Sequence, residues 1–112
     1  MLFRSQADGL KIWDVQTGTG TAVTAGSKLS VYYTGWLTNG TVFDSDRSPK
    51  APASFSLSGL IQGWQEGLIG MQPGGIRRLF IPSALGYGPN GSPPKIPGNA
   101  DLVFEIKLVS TT

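Results

Sequence analysis

The side chains that could do chemistry in this chain are of few kinds. Its 112 residues include neither His nor Cys. Their absence excludes Ser-His-Asp and Cys-His nucleophilic triads, histidine and thiolate metal sites, and disulfides. Any catalysis would therefore depend on carboxylates, hydroxyl groups, backbone amides or a water-free apolar environment, and a hydrolase is disfavoured.

Aromatic residues lie beside polar ones near the ends of predicted strands. Tyr33 ends one alternating run, Phe43 directly precedes Asp44, and Trp64 falls on a predicted helix. Each aromatic taken alone is explained most simply as core, and Asp44 alone as a turn residue. Taken together with Tyr87, the set predicts an apolar pocket in which a polar group of a ligand is oriented.

Other arrangements match no known catalytic pattern. Gly86-Tyr87-Gly88 lacks the spacing of a phosphate-binding loop. Asp44, Asp46 and Glu66 could be assembled into a glycosidase-like carboxylate pair, but nothing in their spacing selects that arrangement.

Alternation of apolar and polar residues predicts strands near 29–34, 54–57, 76–81 and 101–108. Asn39-Gly40 tolerates positive φ at both positions and therefore predicts a hairpin turn. The pair Arg77-Arg78 falls within one predicted strand, and we expect it to form a solvated strand face with one salt bridge.

One helix is predicted, beginning at Ser58 as N-cap, with apolar residues at helical spacing as far as Met71. Gly63, Gly67 and Gly70 would weaken it by up to about 1 kcal/mol each relative to Ala, so it must be held by packing. The same glycines would let a sheet approach closely. Because strands precede and follow the helix without β-α-β alternation, we predict an α+β fold, a curved antiparallel β-sheet of five to six strands wrapped around one short α-helix.

The segment 82–100 contains five prolines and no apolar periodicity. Loops of this length in a small domain are usually functional or disordered. Leu85, Tyr87 and Ile96 supply apolar anchors, so we expect an ordered, functional loop.

Length and composition fit one globular domain, with 39% hydrophobic and 14% charged residues. A formal net charge of +2 does not predict nucleic-acid binding, and no apolar run is long enough to span a membrane. We expect residues 1–8 to form an N-terminal tail and 9–112 the domain. The N-terminus lacks the apolar stretch of a signal peptide, which favours the cytoplasm, with the periplasm or the extracellular space as alternatives if a signal segment was removed.

Several separated motifs occur in a characteristic order. They are VYYTGWL at 31–37, Asn39-Gly40, FDS at 43–45, IQGWQEG at 61–67, LGYG at 85–88 and LVFE at 102–105. In this order they resemble the signature of the tacrolimus-binding prolyl isomerases, the FKBP family, from about residue 9 to residue 109. The run Gly35-Trp36-Leu37 resembles the corresponding run in bacterial members of the family.

The resemblance implies a binding site made of residues from several elements. The family's site comprises three aromatic walls, an indole floor, a carboxylate, a hydroxyl donor, a backbone pair at the helix start and an aliphatic residue at the mouth. These implied residues are Tyr33, Phe43 and Phe104, then Trp64, Asp44, Tyr87, Leu60 with Ile61, and Ile96. The outer rim departs from the short human-type members of the family, because their extra aromatic falls on Ala53, a loop His on Ser92 and a loop Ile on Lys95.

The implied activity is peptidyl-prolyl cis-trans isomerisation in support of protein folding, without metal or cofactor. Its implied partners are proline-containing polypeptides and macrolide inhibitors of the tacrolimus and rapamycin type. The barrier to rotation comes from amide resonance, so a dry aromatic pocket can act without a nucleophile or proton shuttle. The alternative is a non-catalytic proline-peptide-binding or chaperone module that uses the same pocket.

Overall fold

The structure, a computed structural model, describes residues 2–47 and 51–112. In these ranges the strands are β1 (Leu2–Ser5), β2 (Lys11–Gln16), β3 (Lys28–Leu37), β4 (Val42–Asp46), β5 (Ala53–Ser56), β6 (Ile76–Ile81) and β7 (Leu102–Thr111), and the helix is α1 (Gln62–Gly67). The predicted α+β architecture, an antiparallel sheet with one short helix, is confirmed. The described ranges hold seven strands rather than five or six, because part of the segment assigned to a tail forms β1 and pairs with β2.

All strands belong to one antiparallel sheet with the order β1-β2-β6-β7-β3-β4, and β5 pairs with the start of β3. The ten-residue β3 is therefore shared by three partners. It pairs with β7 along one side, and with β5 and then β4 along the other. No helix within the described ranges is long and apolar enough to cross a bilayer.

Helix α1 is shorter than the apolar spacing predicts, and the prediction of Ser58 as its N-cap is wrong. Ser58 lies in a 3₁₀ turn, and Leu60 and Ile61 after it are extended, so α1 begins at Gln62. Apolar spacing reports which residues are buried, and the turn before α1 also directs its apolar residues inward.

The glycines of α1 allow it to lie directly on the sheet, as predicted. A Cβ atom at Gly63 would lie 2.5 Å from Ile81 Cγ2, and one at Gly67 would lie 2.8 Å from Leu79 Cδ1. Ile81 and Leu79 are both fully buried. Hydrogen at these two helix positions is therefore what permits the contact with β6.

Arg77 and Arg78 face opposite sides of β6, and the expectation of a solvated face is wrong for Arg77. Its side chain is buried, its Nε donates to Asp14 Oδ1 at 2.6 Å, and its Nη1 donates to the carbonyl oxygen of Gly67 at 2.9 Å. Carbonyls at a helix end lack partners within the helix, and Arg77 supplies one. Arg78 is exposed and pairs with Glu105 at 3.3 Å.

The long segment between β6 and β7 is ordered by its own hydrogen bonds. It contains 3₁₀ turns at Ser83–Leu85 and Gly88–Asn90. Ser92 and Ile96 pair through both backbone groups, at 2.8 and 3.1 Å, and Ile96 is buried. The loop is thereby held against the sheet.

Candidate functional site

A pocket of about 260 Å³ opens beside the N-terminal end of α1. Strands β3, β4, β5 and β7, the turn before α1, α1 itself and the long loop all contribute to it. Its lining residues are Tyr33, Phe43, Asp44, Phe55, Gly59, Leu60, Ile61, Trp64, Tyr87 and Phe104. The fold thus brings together every residue of the predicted site except Ile96, which lines an adjoining groove with Phe43, Asp44 and Tyr87.

The pocket walls are aromatic rings that contact one another edge to face. Trp64 lies 5.2 Å from Phe104 and 5.5 Å from Tyr33 between ring centroids, with interplanar angles of 90° and 83°. Phe43 meets Phe104 at 5.4 Å and 89°. This is the geometry that aromatic pairs prefer, so the rings brace one another around the open space.

Gly35 on β3 makes the ring contact possible. It is paired across the sheet with Phe104 on β7 and with Asp44 on β4. A Cβ atom at Gly35 would lie 2.6 Å from Phe43 Cζ and 2.7 Å from Phe104 Cε1. Any other residue here would displace two pocket walls.

The polar groups of the pocket are two phenols and a carboxylate. Tyr33 Oη donates to Asp44 Oδ2 at 2.7 Å. Burial, followed by this hydrogen bond, raises the pKa of Tyr33 well above its usual range. Burial and then the charge of Asp44 also raise the pKa of Tyr87. Both phenols therefore keep their protons near neutral pH; Tyr33 donates its proton to Asp44, and the Tyr87 hydroxyl has a proton to donate to a ligand.

The backbone at the start of α1 leaves one amide without a backbone partner among the described residues. Ile61 is extended, and its N–H forms no backbone hydrogen bond within the described residues. The Gln65 side chain fixes the preceding turn by donating to the carbonyl oxygen of Leu60 at 2.7 Å. Ile61 and Tyr87 both line the pocket, so this amide N–H and the Tyr87 hydroxyl are the candidate donors to a ligand.

The Trp64 indole forms the floor and is 4% exposed. Its Nε1 is buried without a hydrogen-bond partner in the described part of the chain. Residues 2–47 and 51–112 bring together no group of three or more acidic side chains that could hold a metal ion.

Phe55 and Gly59 line the pocket and were not among the predicted residues. The alternation of Phe55 with Ser54 and Ser56 predicts only that its ring lies on one face of a strand. The ring meets Trp64 at 5.9 Å and 82°, and Tyr33 at 6.0 Å and 61°, so it belongs to the same group of contacting rings. Only the three-dimensional placement of β5 identifies it.

Comparison with known proteins gives consistent matches over most of the chain. A family model described as FKBP-type peptidyl-prolyl cis-trans isomerase matches residues 19–109. The FK506-binding protein of Neisseria meningitidis serogroup B is 46% identical over 103 residues, which span 90% of this chain and 94% of that protein. The peptidyl-prolyl cis-trans isomerase Mip of Coxiella burnetii is 41% identical over 107 residues, spanning 96% of this chain and 46% of that protein.

Solved structures agree in fold as well as in sequence. A peptidyl-prolyl cis-trans isomerase from Pseudomonas syringae superposes with a TM-score of 0.90 at 34% identity, covering 98% of this chain and 80% of that one. FkpA from Escherichia coli gives a TM-score of 0.91 at 37% identity, covering 98% of this chain and 51% of that one. With family model, relatives and folds in agreement, the chain belongs to the FKBP-type peptidyl-prolyl cis-trans isomerases.

Proposed function

We propose that the aromatic pocket is where this isomerase binds the proline of an X-Pro segment and accelerates rotation of its peptide bond. The observation that carries the proposal is the pocket itself, about 260 Å³ walled by mutually braced rings, with protonated donors at its edge. Trp64 forms the floor under the proline ring, and Tyr33, Phe43 and Phe104 form the walls.

Rotation requires no bond to be broken. The barrier of about 18–20 kcal/mol arises from amide resonance, and water stabilises the planar, charge-separated amide more than the twisted one. An apolar pocket removes that preference. A thousandfold acceleration needs about 4 kcal/mol of differential stabilisation, which desolvation and one well-placed hydrogen bond can supply.

The polar groups have distinct roles in this mechanism. The Tyr87 hydroxyl donates to a carbonyl of the substrate, and the Ile61 N–H binds a second ligand carbonyl beside Leu60. Asp44 accepts the Tyr33 hydroxyl and so holds that wall in place. None of these groups transfers a proton.

Absence of proton transfer predicts a nearly flat profile of kcat/KM against pH between about 6 and 8. The chain has no His, and burial keeps the Tyr33 and Tyr87 hydroxyls protonated in that range. A bell-shaped profile within this window would show that an acid or base takes part, and the desolvation mechanism would be rejected.

The ligands proposed for the pocket are those that membership of the family implies. We infer that the pocket accepts proline-containing segments of polypeptides, and macrolides of the tacrolimus and rapamycin type as competitors for the same space. The printed name of the Neisseria relative, an FK506-binding protein, supports the second inference.

Two measurements test the proposal. The first is the isomerisation rate of an X-Pro peptide, and the second is tacrolimus titration followed by Trp fluorescence in a variant with Trp13→Phe and Trp36→Phe, which leaves Trp64 as the reporter. We expect acceleration that tacrolimus abolishes and a saturable fluorescence change. Saturable binding without acceleration would instead support a proline-binding module, and no fluorescence response would refute the pocket assignment.

A further inference from the structure

A second groove of about 290 Å³ continues from the pocket beneath the long loop. It shares Phe43, Asp44 and Tyr87 with the pocket. Its outer wall is the loop segment Ser92, Pro93, Pro94, Lys95 and Ile96. A peptide whose proline fills the pocket therefore has its flanking residues beside this loop.

The backbone of Lys95 is fixed in this wall. Ser92 and Ile96 on either side of it are joined by two backbone hydrogen bonds, at 2.8 and 3.1 Å. Ile96 is 4% exposed and anchors the segment in the core, whereas the Lys95 side chain is exposed. The segment therefore presents the ammonium group from a restrained backbone at the edge of the groove.

The charge of Lys95 is available to a ligand. Ion pairs in the described ranges join Arg4 and Arg77 to Asp14, and Arg78 to Glu105, but none involves Lys95. The nearby Asp44 already accepts the Tyr33 hydroxyl and makes no ion pair with Lys95.

We propose that Lys95 makes this groove a subsite for an acidic side chain flanking the proline. The enzyme then favours X-Pro segments that carry Glu or Asp at the position that reaches the loop. The resemblance to the short human-type members places an aliphatic residue at this position, so a cationic side chain here changes which flanking residue is favoured. The inference rests on the proposed function, because the groove is a subsite only if the pocket holds the proline.

The test uses peptides that carry Glu, Gln or Lys, one position at a time, from two residues before to two residues after the proline. The quantity compared is the ratio of kcat/KM for Glu to that for Gln at the same position. At one position we expect a ratio of about two to five in low salt, the range of an exposed ion pair. In about 1 M salt, where the screening length is about 3 Å, the ratio should fall toward one.

Three variants identify the residue responsible. Lys95→Gln should bring the ratio to one. Lys95→Glu should bring the ratio below one and should make the Lys peptide a better substrate than the Gln peptide at the same position. Lys28→Gln, the same charge change at the exposed start of β3, should leave the ratio as in the unmodified chain. A ratio of one at every position, or a ratio that survives Lys95→Gln, overturns the subsite while Gln-peptide turnover upholds the pocket. Absence of turnover for all peptides overturns both.

Discussion

Helix α1 meets the sheet in two contrasting ways along only six residues. On one side of the helix, the closed side, Gly63 and Gly67 let Ile81 and Leu79 touch the helix backbone. On the side that faces the pocket, the open side, Trp64 and the rings around it leave a pocket of about 260 Å³. The closed side is made with the smallest residue and the open side with the largest.

The contrast shows how a small domain can keep a cavity next to a filled core. Dense packing is the default in protein interiors, and flexible aliphatic side chains would move into a gap. Rings fixed edge to face have few ways to fill the space between them. The close contacts on the closed side hold α1 in place, while the pocket on the open side stays accessible.

The largest expected effect comes from Trp64. It lies on α1 between Gly63 and Gly67 of the closed side, and it also forms the pocket floor on the open side. Trp64→Ala should lower the free energy of unfolding by about 3–5 kcal/mol, since a buried indole is replaced by a cavity. Denaturant unfolding measures it, and Trp64→Phe should lose much less. A loss under about 1 kcal/mol would mean that the floor is not part of the core.

The ion pair between Arg77 and Asp14, beneath the closed side of α1, should give the next largest effect on stability. Although partial burial acts in the opposite direction, hydrogen bonds from Arg77 and Arg4 lower the pKa of Asp14 below its usual value of 3.8. The folded state therefore binds this proton less readily than the unfolded state, so the stabilisation is complete above about pH 4 and lost as pH falls through the lowered pKa.

Comparing unfolding of the unmodified chain and Asp14→Asn at several pH values isolates this contribution. Near pH 7 the difference should be about 1.5–3 kcal/mol, the range for hydrogen bonds to charged groups. It should shrink on acidification below about pH 4. A difference that does not change with pH would assign the loss to packing rather than to the carboxylate charge.

Adding a side chain on the closed side, between α1 and β6, should also destabilise the protein. Gly63→Ala places a methyl group 2.5 Å from Ile81 Cγ2, and overpacking of this kind costs about 1–3 kcal/mol. Gly26→Ala is the matched control, because no atom lies within 4 Å of its added methyl. If both variants unfold at the same denaturant concentration, α1 does not depend on close contact with β6.

The smallest effects should come from residues of the pocket, on the open side, and should appear in the isomerisation rate. Tyr87→Phe keeps the ring and removes one hydrogen bond, so kcat/KM should fall roughly two- to tenfold with an unchanged melting temperature. Asp44→Ala also releases the Tyr33 hydroxyl from a charge-assisted bond, so its rate should fall further and its melting temperature should fall too. Full activity and stability of Asp44→Ala would mean that Asp44 is only a residue of strand β4 and has no role in the pocket.

The pocket was more predictable from sequence than the boundaries of the helix. Residue types limit what a pocket can contain, and the grouping of Tyr33, Phe43 and Trp64 near Asp44 follows from motif order. The start of α1 was misplaced because Leu60 and Ile61 are directed inward by an extended turn at the same spacing that a helix would give. Periodicity cannot separate these two backbones.

Pairing between distant elements was the least predictable feature. Alternation along β6 places Arg77 on the same face as Leu79 and Ile81, but it does not reveal that Asp14 on β2 and the carbonyl oxygen of Gly67 provide the partners with which the Arg77 charge is buried. Likewise β1 is a strand because the edge of β2 is available to it, which the polarity of residues 1–8 does not reveal. Such choices depend on contacts across the sheet rather than on local sequence.

The position of β7 within the sheet has a consequence for how the chain folds. β7 follows every other strand in sequence, yet it lies between β6 and β3 in the middle of the sheet. Its pairing joins Leu29 to Thr111, so the central ladder requires closure of nearly the whole chain. Topologies dominated by such distant pairings fold on the millisecond-to-second scale. During synthesis, β3 and β6 therefore cannot form their pairs with β7 until β7 has left the ribosome. The nascent enzyme exposes these two strand edges for that interval.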